Sequence, residues 1–216
     1  RALAGCLRQS LHPQPVKFLF ALGPGRGYRA NGGILYLNYP SIETAGVFLR
    51  AYEVAKDSNQ LVALITDIGN DIMYGVSGEE LIVCLDSIFK ILQKMGATIF
   101  VTPISSWLEK ELKPGLFLFL RTLFYPRSRI TYWQVLGAIS KINKYLREKP
   151  RVSLITGLES FSGWDKIHYG VFSASSAWTK IAEELLSDVL EKPNQPIRFP
   201  DMLVSYGNYY RQMVLN

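Results

Sequence analysis

The alternation of short apolar runs with longer segments of helical periodicity is the feature that most constrains the fold. Each apolar run has the length of a buried strand and is followed by turn-forming residues. The predicted strands are 16–22, 61–67, 97–102 and 151–156. Helices with one apolar face are predicted at 41–56, 77–95, 130–147 and 175–190. The second begins with a Ser-x-x-Glu capping box at Ser77 and places Leu85 and Ile91 in the core, and the third places Ile142 there. This order predicts a parallel sheet covered on both faces, a three-layer α/β/α fold.

One of these predicted strands, 61–67, ends in a small polar cluster of Gly69, Asn70 and Asp71. In an open α/β sheet, ligands bind beyond the carboxyl ends of the strands. Gly69 lets the backbone approach a substrate closely, and Asn70 offers an amide donor to a developing negative charge. Asp71 can orient the loop by accepting backbone N–H bonds. An ordinary βα turn without any chemistry has the same composition.

A second polar cluster lies in the predicted loop 157–169, after the last predicted strand, and contains Asp165 and His168. A carboxylate three residues before a histidine can hold one ring nitrogen and fix the tautomer. The other nitrogen then serves as a general base near neutral pH. A histidine in a loop is more often a surface residue, and the presence of Asp165 is what favours chemistry here.

Together the two clusters resemble two sequence blocks of the SGNH/GDSL hydrolase superfamily, in both their order and their separation. The turn Gly69-Asn70-Asp71 is similar to the Gly-x-Asn-Asp block, and Asp165-x-x-His168 is similar to the Asp-x-x-His block. The resemblance implies a flavodoxin-like parallel sheet and an esterase-type hydrolase that acts on an ester or acyl group. It also implies that Asn70 is an oxyanion-hole donor and that Asp165 and His168 belong to a catalytic triad.

The chain departs from this family at the nucleophile. The family places its serine in a Gly-Asp-Ser turn after the first strand, where this chain has Gly23-Pro24-Gly25. No serine occurs between Ser10 and Ser41. Acyl-enzyme chemistry therefore has no evident nucleophile at this turn.

Three outcomes stay open. A serine from elsewhere, such as Ser41 or Ser105, reaches His168; the Asp165–His168 pair activates water directly; or the site is degenerate and the fold serves binding. The first two describe a hydrolase. The third describes a non-catalytic SGNH-like subunit or interaction protein in a larger assembly.

The turn at 23–29 is itself a candidate binding element. Its glycines expose backbone N–H groups that can cradle an anion, and it carries Arg26 and Arg29. Gly25 and Arg26, with Gly69 and Asp71, are the predicted substrate-binding residues, for a small anionic or ester substrate. A Rossmann-like nucleotide site is a distant alternative, because no acidic ribose ligand lies at the expected spacing.

The net charge of +6 is concentrated in residues 113–151, where Glu148 is the only acid. Such a basic face attracts anions, although an ordinary solvated face is more common. An acidic protein partner and an anionic lipid surface are equally compatible with it. The chain has no recognised nucleic-acid motif, which argues against nucleic acid as the partner.

Length and composition predict one SGNH-like domain over residues 1–216, with an N-terminal arm at 1–14 and an aromatic C-terminal tail at 193–216 that can dock on a partner. No apolar run reaches the roughly 18 residues of a membrane-spanning helix. The chain does not begin with Met, so its compartment stays open, with the cytoplasm favoured. Two histidines and two cysteines without metal-site spacing predict neither a metal nor a cofactor.

Overall fold

The structure is a computed structural model that describes residues 2–35 and 37–187. The chain divides into two compact units. The sheet unit is Leu19–Thr156, and the terminal unit combines Arg1–Phe18 with the chain from Gly157 onward. The predicted tail at 193–216 and the last residues of the helix predicted at 175–190 lie outside the described residues.

The sheet unit contains a parallel three-stranded sheet of β1 (Val62–Ile65), β2 (Thr98–Val101) and β3 (Ser153–Leu154), in the order β1-β2-β3. Ile65 pairs with Val101, and Phe100 pairs with Ser153. Three of the predicted strands are thus present, each shorter than predicted. The α/β class and the parallel arrangement are confirmed.

The prediction of a strand at 16–22 is wrong. In the described chain this segment forms no strand, and Leu19, Phe20 and Leu22 are exposed. The physical reason is that an apolar run becomes a buried strand only when a neighbouring strand takes its hydrogen bonds, and hydrophobicity alone does not supply that neighbour.

Eight α-helices are found in the described residues. In chain order they are α1 Ala2–Ser10, α2 Val47–Ala55, α3 Asn70–Met73, α4 Gly78–Lys94, α5 Ser106–Glu111, α6 Pro114–Phe124, α7 Tyr132–Glu148 and α8 Ala174–Leu186.

Helices α4 and α7 pack on each other and supply much of the buried core of the sheet unit. Helix α4 begins with the predicted capping box, in which the Ser77 hydroxyl accepts a hydrogen bond from the Glu80 amide. Helix α7 begins with a second capping box, formed by Thr131 and Gln134. Leu85 and Ile142, which are predicted to face the core, are buried, whereas Ile91, predicted to face it as well, is 41% exposed.

Two other predictions are corrected. The helix predicted to start at Ser41 starts at Val47, because Gly46 has a left-handed φ of 69° that breaks the helical path just before it. Ser41 is instead buried and hydrogen-bonds the Thr44 hydroxyl. The predicted N-terminal arm is mostly the helix α1, which packs on α8 within the terminal unit through an apolar cluster that includes Cys6 and Ala182.

Cys6 and Cys84 are both buried and do not form a disulfide with each other. No helix in residues 2–35 and 37–187 has both the length and the apolar character needed to cross a membrane.

Candidate functional site

In the sheet unit, the candidate site is built around the turn that leads from β1 into α3. Ile68 and Ile72 are each 1% exposed and fix this turn to the core. Between them lie Gly69, which is half-buried, and Asn70 and Asp71, which open α3. Asp67, just after the strand, has a left-handed φ of 58°, which is uncommon for a residue other than glycine. The chain therefore bends sharply where the sequence predicts a ligand-binding turn.

Asp71 is the central residue of this turn. Its carboxylate is fully buried and accepts backbone N–H bonds from Tyr28 at 2.6 Å, Arg29 at 2.9 Å and Ala30 at 2.8 Å. Burial raises the pKa of Asp71 above its ordinary value, and the three amide bonds oppose that rise only in part. Both carboxylate oxygens are thus used to hold the backbone at the end of the Gly-rich turn.

Gly27 lies directly against this carboxylate. A Cβ atom at position 27 would lie 2.7 Å from Asp71 Oδ1 and 2.9 Å from the Ala30 carbonyl oxygen. The protein's own carboxylate therefore fills the inside of the turn. At this position only glycine fits without a shift of the backbone or of Asp71.

Asn70 is engaged at both ends of its carboxamide. Nδ2 donates to the Arg26 carbonyl oxygen at 3.2 Å, and Oδ1 accepts from the Tyr125 hydroxyl at 3.0 Å. The Tyr74 hydroxyl donates to the Gly25 carbonyl oxygen at 2.7 Å, and the Tyr74 and Tyr125 rings meet edge-on at 5.4 Å. Asn70 therefore helps to hold the Gly-rich turn in place.

The two tyrosines are neutral donors at physiological pH. Burial raises the pKa of Tyr74 to about 12 and raises the pKa of Tyr125 as well. Sequence reasoning missed both residues. Tyr74 lies four residues after Asn70, and residues four apart in a helix are neighbours on its surface. A helix predicted at this turn would therefore have placed Tyr74 beside Asn70. Tyr125 lies 55 residues away from Asn70, and no sequence signal connects the two.

The arginines of the turn differ in their partners. Arg29 lies 3.6 Å from the Glu43 carboxylate. Arg26 donates through Nε to the Pro40 carbonyl oxygen at 2.8 Å and through a terminal nitrogen to the Leu22 carbonyl oxygen at 3.2 Å. Burial lowers the pKa of Arg26. Two carbonyl oxygens thus stabilise the guanidinium without neutralising its charge. The charge still attracts anions.

The terminal unit contains the predicted pair of Asp165 and His168. Asp165 is 5% exposed, and its Oδ1 accepts backbone N–H bonds from Ile167 at 3.1 Å and His168 at 3.0 Å. Its Oδ2 lies 2.7 Å from His168 Nδ1. These contacts form a carboxylate–imidazole dyad, as the spacing predicts.

A tight hairpin holds this dyad. The Gly163 amide donates to the His168 carbonyl oxygen at 2.7 Å, and the Gly170 amide donates to the Phe161 carbonyl oxygen at 2.8 Å. Lys166, at the tip, has a left-handed φ of 59°. The loop therefore orients His168 through its backbone as well as through Asp165.

The two members of the dyad differ in exposure. Burial acts to raise the pKa of Asp165, but hydrogen bonds from the His168 ring and from the two amides outweigh it, so the net pKa is lowered. The His168 side chain is 67% exposed. A charged, buried carboxylate thus holds Nδ1 of the imidazole, and the second ring nitrogen of His168 is Nε2.

Both alternative serine nucleophiles lie in the sheet unit. Ser41 is 1% exposed, and its hydroxyl lies 2.8 Å from the Thr44 hydroxyl. The Ser105 hydroxyl oxygen is buried and has no hydrogen-bond partner in the described chain. That the Asn70 and His168 clusters share one pocket stays a prediction.

The match between the turn at Asn70 and the SGNH block is partial. Gly69 directly precedes Asn70, whereas the SGNH block has one residue between its glycine and its asparagine, so the match at this turn depends on Asn70 and Asp71. The residues described by the structure contain no group of three or more His, Cys, Asp or Glu side chains that could hold a metal ion.

Comparisons of the chain with protein-family models, with curated proteins and with solved structures gave no match.

Proposed function

We propose that the chain is a hydrolase of ester or acyl bonds in which His168 acts as a general base on water. The observation that carries the proposal is the dyad, with Asp165 Oδ2 at 2.7 Å from His168 Nδ1. The proposal includes the finer fold prediction, a flavodoxin-like, three-layer SGNH-type arrangement.

The chemistry follows from the tautomer that Asp165 selects. With its proton on Nδ1, the ring presents a lone pair on Nε2, which accepts a proton from water as the water oxygen bonds to the acyl carbon. The tetrahedral intermediate collapses when the carbon–oxygen bond to the leaving group breaks. The imidazolium then returns the proton to the departing alkoxide, and the carboxylate of Asp165 stabilises the imidazolium throughout.

Direct water activation is favoured over an acyl-enzyme because the Gly-rich turn carries no hydroxyl side chain at positions 23–27. A serine at position 27 would place its Cβ 2.7 Å from Asp71 Oδ1. The same crowding supports the second candidate, a non-catalytic SGNH-like interaction protein, since a turn filled by its own carboxylate is also a purely structural turn.

A panel of p-nitrophenyl esters separates the two candidates. For the hydrolase we expect turnover that His168→Ala lowers by on the order of 10²-fold or more. His12→Ala is the matched control, because His12 is the other histidine of the chain and is exposed in the same unit. Turnover that is absent, or that falls equally in both variants, would favour the interaction protein.

A further inference from the structure

Helix α6 is apolar except for Arg121 and Thr122 in its last turn. Phe117 and Leu120 are buried in the sheet unit, while the opposite side forms an exposed stripe that carries no charge. Leu118, Phe119 and Leu123 in this stripe are 52%, 53% and 45% exposed. The exposed stripe consists of Gly115, Leu118, Phe119, Thr122 and Leu123.

A helix exposed to water normally has a polar outer face, and a helix that is apolar all round is normally covered. Helix α4 of the same unit obeys this rule, because its exposed positions include Glu79 and Lys90. Helix α6 does not. The exposed stripe therefore has the character of a contact surface.

The protein presents this surface rigidly. The Tyr132 hydroxyl donates to the Leu112 carbonyl oxygen at 2.6 Å just before α6, and the Leu35 amide donates to the Phe124 carbonyl oxygen at 2.9 Å at its end. Arg121 donates to the Ile130 carbonyl oxygen at 2.9 Å and lies over the Phe117 ring. Leu35 itself is half-exposed, which adds an apolar side chain beside the carboxyl end of the helix.

The charged residues near α6 indicate what kind of partner this surface can bind. Between Glu111 and Glu148 the sequence has no acidic residue. Lys113 and Arg129, within this stretch, are exposed close to the two ends of α6 in the sequence, and we call them the basic flank. Trp133, 77% exposed, follows Tyr132 at the start of α7. An apolar stripe bounded by bases and an exposed tryptophan is the composition of a helix that lies in a membrane interface.

We propose that the exposed stripe of α6 inserts into the surface of an anionic lipid membrane while the basic flank binds its headgroups. The 11 residues of α6 span about 16 Å, roughly half of the hydrocarbon thickness, so the helix lies in the plane of the interface. A second copy of the chain is a poorer occupant, because it brings an identical basic flank and the like charges repel. This inference is independent of the proposed hydrolase.

Flotation with lipid vesicles tests the proposal. The 216-residue chain is expected to float with phosphatidylcholine vesicles that contain phosphatidylglycerol and to stay behind with phosphatidylcholine alone. Leu118→Asp is expected to weaken binding at least about tenfold, because the carboxylate must enter the acyl boundary. Leu49→Asp is the matched control, since Leu49 is a 76% exposed leucine on α2 in the same unit.

The basic flank has its own test. Lys113→Gln and Arg129→Gln are each expected to weaken vesicle binding about fivefold. Added salt is expected to weaken vesicle binding by the wild-type protein as well. Circular dichroism verifies that every variant is folded. Absent flotation, equal flotation with both vesicle types, or equal loss in Leu118→Asp and Leu49→Asp would overturn the proposal. So would self-association that Leu118→Asp abolishes in a protein that does not float, which would assign the stripe to a second copy.

Discussion

Asp71 in the sheet unit and Asp165 in the terminal unit are both buried aspartates that organise a tight turn, yet they differ in what they hold. Asp71 uses both oxygens on three backbone amides, those of Tyr28, Arg29 and Ala30. Asp165 uses one oxygen on two amides and gives the other to the His168 ring. The first carboxylate shapes the backbone, and the second also prepares a titratable side chain.

The electrostatic consequences run in opposite directions. Burial dominates at Asp71 and raises its pKa, whereas at Asp165 the hydrogen bonds outweigh burial and lower the pKa. A buried carboxylate near a turn is therefore not by itself a sign of chemistry. What separates the two is whether a side chain that can exchange protons with solvent is among the partners.

The largest expected effect is on stability at Asp71. Asp71→Ala leaves one buried and two partly buried backbone N–H groups without their acceptor, so we expect the free energy of unfolding to fall by about 3 kcal/mol. Urea denaturation measures this. Asp57→Ala, at an exposed aspartate of the same unit, is expected to change it by less than about 0.5 kcal/mol. A small effect at Asp71 would mean that the amides find water instead.

Asn70 distinguishes a turn-holding residue from an oxyanion donor. If Asn70 acts as predicted, Asn70→Ala lowers kcat for ester hydrolysis by on the order of 10²-fold. Tyr125→Phe removes only the hydrogen bond to Asn70 Oδ1 and is expected to change kcat a few-fold at most, with a loss of about 1 kcal/mol in stability. Equal losses of kcat in the two variants would reduce Asn70 to a positioning residue.

Gly27 tests how tightly Asp71 fills its turn. Gly27→Ala is expected to destabilise the protein by about 2 kcal/mol, because the added methyl overlaps Asp71 Oδ1 and the Ala30 carbonyl oxygen. Gly137→Ala is the control of opposite sign. Gly137 lies inside α7 with nothing near its Cβ position, so alanine there is expected to stabilise by about 0.5–1 kcal/mol. Thermal unfolding of the two variants against wild type gives the comparison.

The smallest expected effect is a difference in pH dependence. The folded pKa of Asp165 is depressed, so its stabilisation is complete above its unfolded pKa, near 4, and is lost as pH falls through the folded value. The folded pKa of Asp71 is raised, so its contribution is most favourable below the unfolded pKa and declines as pH rises through the folded value.

The stability difference between wild type and Asp165→Asn is therefore expected to shrink on acidification, and the difference for Asp71→Asn is expected to grow. Urea titrations from neutral to acidic pH measure both differences. Parallel trends in the two variants would contradict the opposite directions of the two pKa shifts.

Local sequence signals predicted the parts of the fold that depend on neighbouring residues. The capping box at Ser77 and the Asp165–His168 spacing are examples, because their partners lie three residues apart. The loop-orienting role predicted for Asp71 is also found in the structure. The α/β class followed from the alternation of apolar runs and amphipathic helices.

Interactions between residues far apart in the chain could not be predicted from the sequence. The partners of Asp71 lie more than 40 residues away, and Tyr125 meets Asn70 across 55 residues. The apolar run at 16–22 failed as a strand because strand pairing is set by a distant partner and not by hydrophobicity. A pattern within one segment describes that segment, and tertiary contacts decide what it pairs with.

The central claim is that Asp165 prepares His168 for proton transfer, and a double-mutant cycle in p-nitrophenyl acetate hydrolysis tests it most directly. Asp165→Asn and His168→Ala are each expected to lower kcat/KM by on the order of 10²-fold or more, and the double variant is expected to be no slower than His168→Ala alone. A wild-type rate in Asp165→Asn, or losses that multiply in the double variant, would contradict the claim.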